Sequence, residues 1–256
     1  MHEEATAPLR RVTSSFPVPL RVQHLMSDPK PVVTFTFANP VDALMRLLLL
    51  SPLAADPRNL AFVPEDGPYA DFCNGDRLAR VHAALPPGSF ALTCVLFFDE
   101  CNRDEKGFDT GDGAIIVAGF LRKGARESTH AKRSFATFPK VHFFNNCKYK
   151  ANTIAIEHCK TSPPSPTMQV DFPPQNRTGV AVKTFLLSLR QHRLRAIYKC
   201  FEEFNREGGA VVNLQHGPLM YFAKAVILAI YGDQPAATKV TLTGSACPVC
   251  FTPQGY

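Results

Sequence analysis

The sequence predicts an α/β domain with a mixed sheet and flanking helices, and three observations support this. Two apolar runs typical of buried strands, Val95–Phe98 and Ile227–Tyr231, are followed closely by the aspartates Asp99 and Asp233. A strand–turn–strand pattern surrounds the first run. A long amphipathic helix separates it from the second. Antiparallel strands followed by a helix and a further strand are typical of α/β domains that carry a mixed sheet.

The composition is that of a chain with a substantial core. It has 256 residues, of which 45% are hydrophobic, and a net charge of +6 that mildly favours a polyanionic partner. The first residues are polar, and the apolar run Leu47–Leu50 is too short to span a bilayer, so we expect an intracellular chain without a membrane segment. In that setting the eight cysteines are thiols or metal ligands rather than disulfides.

The N-terminal third divides into two predicted regions. Residues 1–30 are proline-rich without periodicity and predict a flexible leader, and residues 31–88 form a small α+β region before the core. Alternation over Pro31–Phe37 predicts a strand, and Asn39-Pro40 is a helix start in which Asn39 caps. The predicted apolar face of that helix comprises Val41, Leu44, Leu47 and Leu48.

Residues 89–246 are predicted to form the core of the domain. The continuous apolar character of Phe90–Phe98 predicts a central strand covered on both faces, and the charged turn 101–113 follows it. Residues 161–179 are predicted to form a linker or a surface loop, and Gly208-Gly209 is predicted to end the long helix. The other predicted elements are the strands Ala114–Leu121, Phe135–Phe144 (weakened by Pro139), Val226–Tyr231 and a short Lys239–Leu242, and the helix Val180–Asn205. This order fits an RNase H-like fold, although the pattern does not select that fold among others.

Two aspartates are candidate metal ligands. Asp99 and Asp233 each follow a buried strand, which would hold the carboxylate in a defined position, as a divalent-metal site for phosphodiester chemistry requires. The alternative is that each aspartate caps an ordinary turn.

A basic stretch follows the second predicted strand. It is typical either of a surface that faces phosphates or of a solvated loop. The candidate DNA-binding residues are Arg122, Lys123, Arg126, Lys132 and Arg133. The long helix adds basic residues predicted to lie on its exposed face: Lys183, Arg190, Arg193, Arg195 and Lys199.

The segment Cys247-Pro248-Val249-Cys250 is half of a zinc site by its spacing. No thioredoxin-like βαβ pattern surrounds it, which disfavours a redox role. A zinc-dependent interaction module centred on these two cysteines and a pair of reduced cysteines without metal are the alternatives.

Three blocks resemble the transposases of the Plavaka group of DNA transposons, relatives of the CACTA and Kyakuja–Dileera–Zisupton elements. The similarity runs in order over residues 31–252. The blocks are LLLLSPLAADPRNLAFVPEDGPY, LPPGSFALTCVLFFDECNRDEKGFDTGDGAIIVAGFLRKGARESTHAKRSFATFP and YFAKAVILAIYGDQPAATKVTLTGSACPVC. The last is the most specific, because an aspartate, a proline, a glycine and two cysteines fall in place together.

The resemblance implies an RNase H-like catalytic core with an acidic triad that binds two Mg²⁺ (or Mn²⁺) ions. Asp99 would be the first acid and Asp233 the second, while Cys247 and Cys250 would begin a zinc insertion at residues 247–256. The third acid of the family lies beyond the cysteines, where the sequence has ended. We therefore expect a fragment or decayed copy with an incomplete core and little or no activity.

The implied function is cleavage and transfer of DNA strands in the nucleus, on transposon ends and target DNA, by a chain that could form a homo-oligomer. The alternative is a non-catalytic DNA-binding or regulatory remnant of a transposable element.

Overall fold

A five-stranded mixed sheet with the order β5–β4–β3–β7–β6 forms the centre of the fold. The computed structural model describes residues 8–65, 71, 74–102, 110–139, 172, 176, 179–214 and 218–232. Strand β3 pairs antiparallel with β4 and parallel with β7, while β4 pairs antiparallel with β5 and β6 with β7. The strands are β3 Ser89–Asn102, β4 Thr110–Ala118, β5 Lys132–Pro139, β6 Ala210–Asn213 and β7 Leu219–Gly232.

The prediction that the apolar run after Gly88 forms the central strand is confirmed. Strand β3 has two sheet neighbours on each side, and Leu92, Cys94 and Leu96 along it are fully buried. A strand covered on both faces has no solvent-facing positions to alternate, which explains its nearly continuous apolar sequence. The predicted hairpin is also confirmed, although β3 and β4 extend into the segment that was expected to form a turn.

The prediction of a flexible leader over residues 1–30 is wrong from residue 11 onward. Strand β1, Arg11–Pro17, pairs antiparallel with β2, Val32–Ala38, and a short helix α1, Leu20–Gln23, lies between them. Hydroxyl pairs line the outer face, with Thr13 3.1 Å from Thr36. The inner face carries Phe16, whose ring is 5.8 Å from that of Phe185. About half of the residues of β1 carry a hydroxyl group or a charge. The alternation of apolar and polar residues that indicates a strand is therefore not visible in its sequence.

The predicted helix start at Asn39-Pro40 is confirmed. Helix α2 covers Pro40–Leu50, and the Asn39 side-chain oxygen accepts from the backbone N–H of Val41 at 2.9 Å. This cap satisfies a donor that has no partner within the helix. The four residues predicted to form the apolar face, Val41, Leu44, Leu47 and Leu48, are all buried.

Helices also cover parts of the sheet outside this hairpin. Helix α3, Asp76–Ala83, lies before β3, and the short α4, Lys123–Arg126, follows β4. The long helix α5, Val180–Arg206, agrees with the predicted helix within one residue. The Asn205 side chain accepts from the backbone N–H of Ala225 at 2.7 Å and donates to its carbonyl at 3.2 Å. This pair of bonds fixes the end of α5 against β7.

The predicted bounds of two strands, β5 and β7, are revised. Strand β5 begins three residues earlier than expected, and Pro139 is its last residue, at the edge of the sheet where a missing N–H costs no ladder bond. Strand β6 and the first half of β7 were not predicted. The proposed strand Lys239–Leu242 and most of the linker 161–179 lie outside the described residues.

Two adjacent glycines end α5, as predicted, but they carry different constraints. Gly208 and Gly209 have φ angles of +86° and +80°. The Gly209 N–H donates to the Phe204 carbonyl at 3.0 Å, which closes the helix end. A Cβ at Gly208 would meet open space, whereas one at Gly209 would collide with the carbonyl of Phe222.

We therefore expect Gly209→Ala to be much more destabilising than Gly208→Ala. Both substitutions place a side chain at positive φ, for about 1 kcal/mol. Only Gly209→Ala adds a backbone collision, which raises its cost to about 3 kcal/mol or more. Urea unfolding of both variants measures the two free energies. Equal losses of stability would contradict this placement of β7 against the helix end.

Candidate functional site

The last residues of β7 lie beside Phe97 and Phe98 of β3, which continues to Asn102 paired with β4 alone. Asp99 therefore lies within β3, and the expectation that it follows the end of this strand is wrong. In the parallel register Phe97 pairs with Tyr231 and Phe98 with Gly232. Asp99 is the next residue of β3, where it pairs with Gly113 of β4. Neighbouring strands are about 4.8 Å apart. The backbone at position 99 is therefore one strand spacing from the end of β7.

Asp233 is the residue that directly follows this end of β7 in the sequence, and it lies outside the described residues. The donor type at these two positions suits Mg²⁺ or Mn²⁺, because both ions prefer carboxylate oxygen. Within the described part of the chain, no cluster of three histidine, cysteine, aspartate or glutamate side chains could hold a metal ion.

The two faces of the sheet differ near this edge. Leu96, Phe98 and Ile116 are buried in one core cluster. The elements that cover them are the paired strands β1 and β2, called here the N-terminal hairpin, and the helices α2 and α5. The alternate residues Phe97 and Ile115, which pair with each other across β3 and β4, are only half-buried. Near Phe97 and Phe98, one face of the sheet is therefore covered by protein and the other face is partly accessible to solvent.

The predicted DNA-binding residues are not near Asp99. Lys132 pairs with Val117, four residues along β4 from Gly113, so it lies about 13 Å from the position level with Asp99. Residues 122–126 follow the end of β4 and lie at that opposite end of the sheet. The structure thus separates the candidate acids from the candidate cations.

Two of these five cations form structural ion pairs. Arg126 pairs with Asp71, and the side chains of both are only about a tenth exposed, at 11% and 10%. Asp71 also accepts from the backbone N–H of Lys123 at 2.7 Å. Arg122 donates to Glu65 at 2.6 Å. These bonds hold the segment before α3 against the turn that follows β4.

The other three predicted cations remain accessible to different degrees. Lys123 and Lys132 are exposed, and Arg133 is half-buried in β5.

The prediction that Arg193 lies on the exposed face of the long helix is wrong. Its side chain is 7% exposed, and its guanidinium carbon lies 5.0 Å from the ring centre of Phe138 and 5.8 Å from that of Phe35. The sequence does contain a signal for this burial. Leu189, Arg193 and Ile197 are spaced four residues apart, so the arginine lies in the middle of the buried face of the helix.

Cys247 and Cys250, the predicted zinc ligands, lie outside the described residues. The two cysteines that are described as free, Cys94 and Cys200, are buried. Burial raises the pKa of both thiols, that of Cys200 to about 11. They are therefore protonated at neutral pH, which disfavours metal binding by either.

Comparisons with models of protein families, with curated protein sequences and with solved structures give no match for this chain. Among the described helices, none is long and apolar enough to cross a membrane.

We expect Arg126→Ala to lower stability by about 3 kcal/mol, because it removes the positive charge that pairs with the buried carboxylate of Asp71. The matched control is Arg58→Ala, which removes an exposed arginine from its pair with Asp56 and should leave the unfolding free energy nearly unchanged. Urea unfolding of the two variants makes the comparison. An Arg126→Ala variant as stable as the control would show that the pair is not structural.

Proposed function

We propose that this protein is related to DNA transposases and that the end of β7 and the neighbouring part of β3 hold divalent metal for chemistry on DNA phosphodiester bonds. Asp99 and Asp233 supply the carboxylates in this proposal. Its metal is Mg²⁺ or Mn²⁺, and its substrate is DNA.

The parallel pairing of β3 with β7 carries the proposal. The sequence separates Phe98 and Gly232 widely, yet they are register partners, and each directly precedes one of the two candidate acids. Parallel neighbours end at the same edge of a sheet, which is where open α/β sheets bind their ligands. The alternative, that each aspartate only caps a turn, does not account for a second acid at the matching position of the neighbouring strand.

The strand order also supports an RNase H-like core. Strands β3, β4 and β5 form an antiparallel meander with β3 at its inner end, and β7 joins β3 in parallel after helix α5. An RNase H-like core has this arrangement of three antiparallel strands, a helix and a parallel strand beside the first. Strand β6, antiparallel to β7 at the edge, is an addition to that plan. The argument from topology is one of analogy between folds.

Two carboxylates at neighbouring positions of adjacent strands are suited to the chemistry. In two-metal catalysis one ion activates the attacking oxygen and the other stabilises the leaving oxygen, with the ions about 3.5–4 Å apart. In the proposal, carboxylates that extend from backbone positions one strand spacing apart, about 4.8 Å, would share an ion. The role of this chain's residues in the proposal is to hold that ion at the open edge of the sheet.

Three further parts of the proposal are supported by the sequence and not by the described structure. They are a Zn²⁺ ion bound by Cys247 and Cys250, action in the nucleus, and association with a second copy of the chain.

The test is divalent-metal binding by the 256-residue chain, measured with Mn²⁺ by calorimetry. We expect Asp99→Asn and Asp233→Asn each to weaken Mn²⁺ binding about tenfold or more. The double variant should lose less than the product of the two single losses, because both side chains act on one ion. Asp28→Asn, an exposed carboxylate near Lys30, is the matched control and should bind Mn²⁺ normally.

Two results would contradict the proposal. One is wild-type Mn²⁺ affinity in Asp99→Asn. The other is a double variant whose loss equals the product of the single losses, since independent acids do not share an ion.

A further inference from the structure

We propose that the outer face of the N-terminal hairpin, together with the adjoining side of helix α5, binds the phosphate backbone of DNA. This inference rests on the proposed function in taking DNA as the polyanion, but it needs neither the metal nor the two candidate acids. The surface, called here the hairpin surface, comprises Arg11, Thr13 and Ser15 of β1, Thr34 and Thr36 of β2, and Arg195 of α5.

The outer face of the hairpin is open to solvent. Successive residues of a strand project to opposite faces. Ser14 projects inward, where its Oγ lies 2.9 Å from Nε2 of His192 on α5. Its neighbours Thr13 and Ser15 therefore project outward, and both are exposed. Arg11 continues the outward series and is exposed as well.

Hydroxyl pairs on this face retain hydrogen-bond donors for an external acceptor. Thr13 lies 3.1 Å from Thr36, and Ser15 lies 3.1 Å from Thr34. A single hydrogen lies between the two oxygens of each pair, so the second hydroxyl can donate its own hydrogen elsewhere. Phosphate oxygens of DNA accept hydrogen bonds, and Ser and Thr side chains are among their usual donors in protein–DNA interfaces.

The exposed Arg195 lies beside this face. It follows His192 by three residues, so the two side chains are neighbours on one side of α5. The hydrogen bond between His192 and Ser14 joins that side of the helix to β1. The hairpin and α5 therefore present their polar residues on one continuous surface.

Arg11 lies toward the end of the hairpin surface that carries Arg195. At the beginning of β1, Arg10 is within electrostatic range of Cys200 on α5. Cys200 comes five residues after Arg195 in the helix, which is about 7.5 Å along its axis. The first residues of β1 thus lie near this part of α5, and the two arginines are brought to the same region.

The layer to which this surface belongs has a large excess of positive charge. Residues 8–50 and α5 contain eleven lysines and arginines and four acidic residues. Three of the acids are already paired within the layer: Asp28 with Lys30, Asp42 with Arg10 and Glu203 with Lys199. The fourth, Glu202, lies about 10 Å along the helix from Arg195. No ion pair joins Arg11 or Arg195 to another residue in the described part of the chain.

The hairpin covers the end of the sheet that contains the candidate acids. The ring of Phe35 in β2 lies 5.6 Å from that of Phe138 in β5. Phe138 pairs with Asp112 of β4, which in turn pairs with Glu100, the residue after Asp99. The backbone of Phe138 is therefore two strand spacings, about 10 Å, from that of Glu100. DNA on the hairpin surface would lie at the same end of the molecule as the proposed metal site.

The regular spacing of the donors favours a nucleic acid over an acidic protein. The outward positions of β1 from Arg11 to Ser15 span about 14 Å. Each strand of duplex DNA carries a phosphate about every 3.4 Å along the axis, so a row of this length meets several phosphates at once. An acidic protein has no such repeat of charge.

The experiment measures binding of the 256-residue chain to a fluorescently labelled duplex of about 20 base pairs by anisotropy. EDTA is present, so that the proposed metal site takes no part. Affinity is measured at several salt concentrations, because the slope of log affinity against log salt reports how many phosphates the protein neutralises. Thermal unfolding confirms that every variant is folded.

Arg11→Gln and Arg195→Gln should each weaken duplex binding about fivefold and lower the salt slope by about one. The double variant Thr13→Val, Thr36→Val should weaken binding about threefold with the slope unchanged, because a neutral hydroxyl releases no counterion. The matched control is Arg80→Gln, which removes the same charge from an exposed position of α3 on the other face of the sheet. It should change the affinity less than about twofold.

Three results would overturn the hairpin surface. One is a wild-type chain that does not bind the duplex in EDTA. Another is a loss of affinity in Arg11→Gln and Arg195→Gln no larger than that in Arg80→Gln. The third is competition by polyglutamate as effective as that by unlabelled duplex, which would indicate a surface for acidic proteins.

Mn²⁺ binding separates this inference from the proposed metal site. Arg11→Gln should bind Mn²⁺ normally, and Asp99→Asn should bind the duplex normally in EDTA. Normal duplex affinity in Arg11→Gln, together with lost Mn²⁺ binding in Asp99→Asn, removes the hairpin surface and keeps the metal site. Weakened duplex binding in Arg11→Gln, together with normal Mn²⁺ binding in Asp99→Asn, keeps the hairpin surface and removes the metal site.

Discussion

The parallel pairing of β3 with β7 is the constraint on which the rest of the structure depends. Parallel strands cannot be joined by a tight turn, so a crossover must return the chain to the starting edge, and α5 lies on that path. The hydrogen bonds between Asn205 and Ala225 then hold the end of the helix to β7. Because of this pairing, the residues before Asp99 and Asp233 become neighbours although they are remote in the chain.

Different elements pack on the two faces of the sheet, so that one face is closed and the other is partly open. The N-terminal hairpin, α2 and α5 bury the face that carries Leu96 and Phe98. On the other face α3 covers the early part of β3, while Phe97 and Tyr231 near the strand ends keep exposed area.

Local sequence patterns were sufficient to predict those elements in which buried apolar residues recur at regular spacing. Strand β3, helix α2 with its Asn39 cap, and helix α5 were predicted because burial repeats every residue, or every three to four residues, along them. Strand β1 was missed because its inward series includes Ser14, a polar residue that bonds His192 at 2.9 Å. The burial of this side of β1 depends on a helix about 180 residues away in the sequence. The local composition of β1 gives no indication of that contact.

The candidate site was less predictable. The register of β3 and β7 makes Phe98 and Gly232 neighbours, while the metal-binding roles of Asp99 and Asp233 stay predictions. The roles of the basic residues depended on contacts remote in sequence. Arg126 pairs with Asp71, 55 residues earlier, and no local pattern distinguishes it from the exposed Lys123. The exposure of Tyr231 likewise depends on where α3 stops covering the sheet.

The separation of cations from acids has an electrostatic consequence for DNA binding. Carboxylates at a strand end repel a phosphate, and of the five predicted cations Arg122 and Arg126 already neutralise acids of the fold. Lys132 lies about 13 Å along the sheet, beyond the Debye length of about 8 Å at physiological salt. In the proposed function, a bound divalent ion would therefore supply the attraction of a phosphate to position 99 that these predicted cations do not provide.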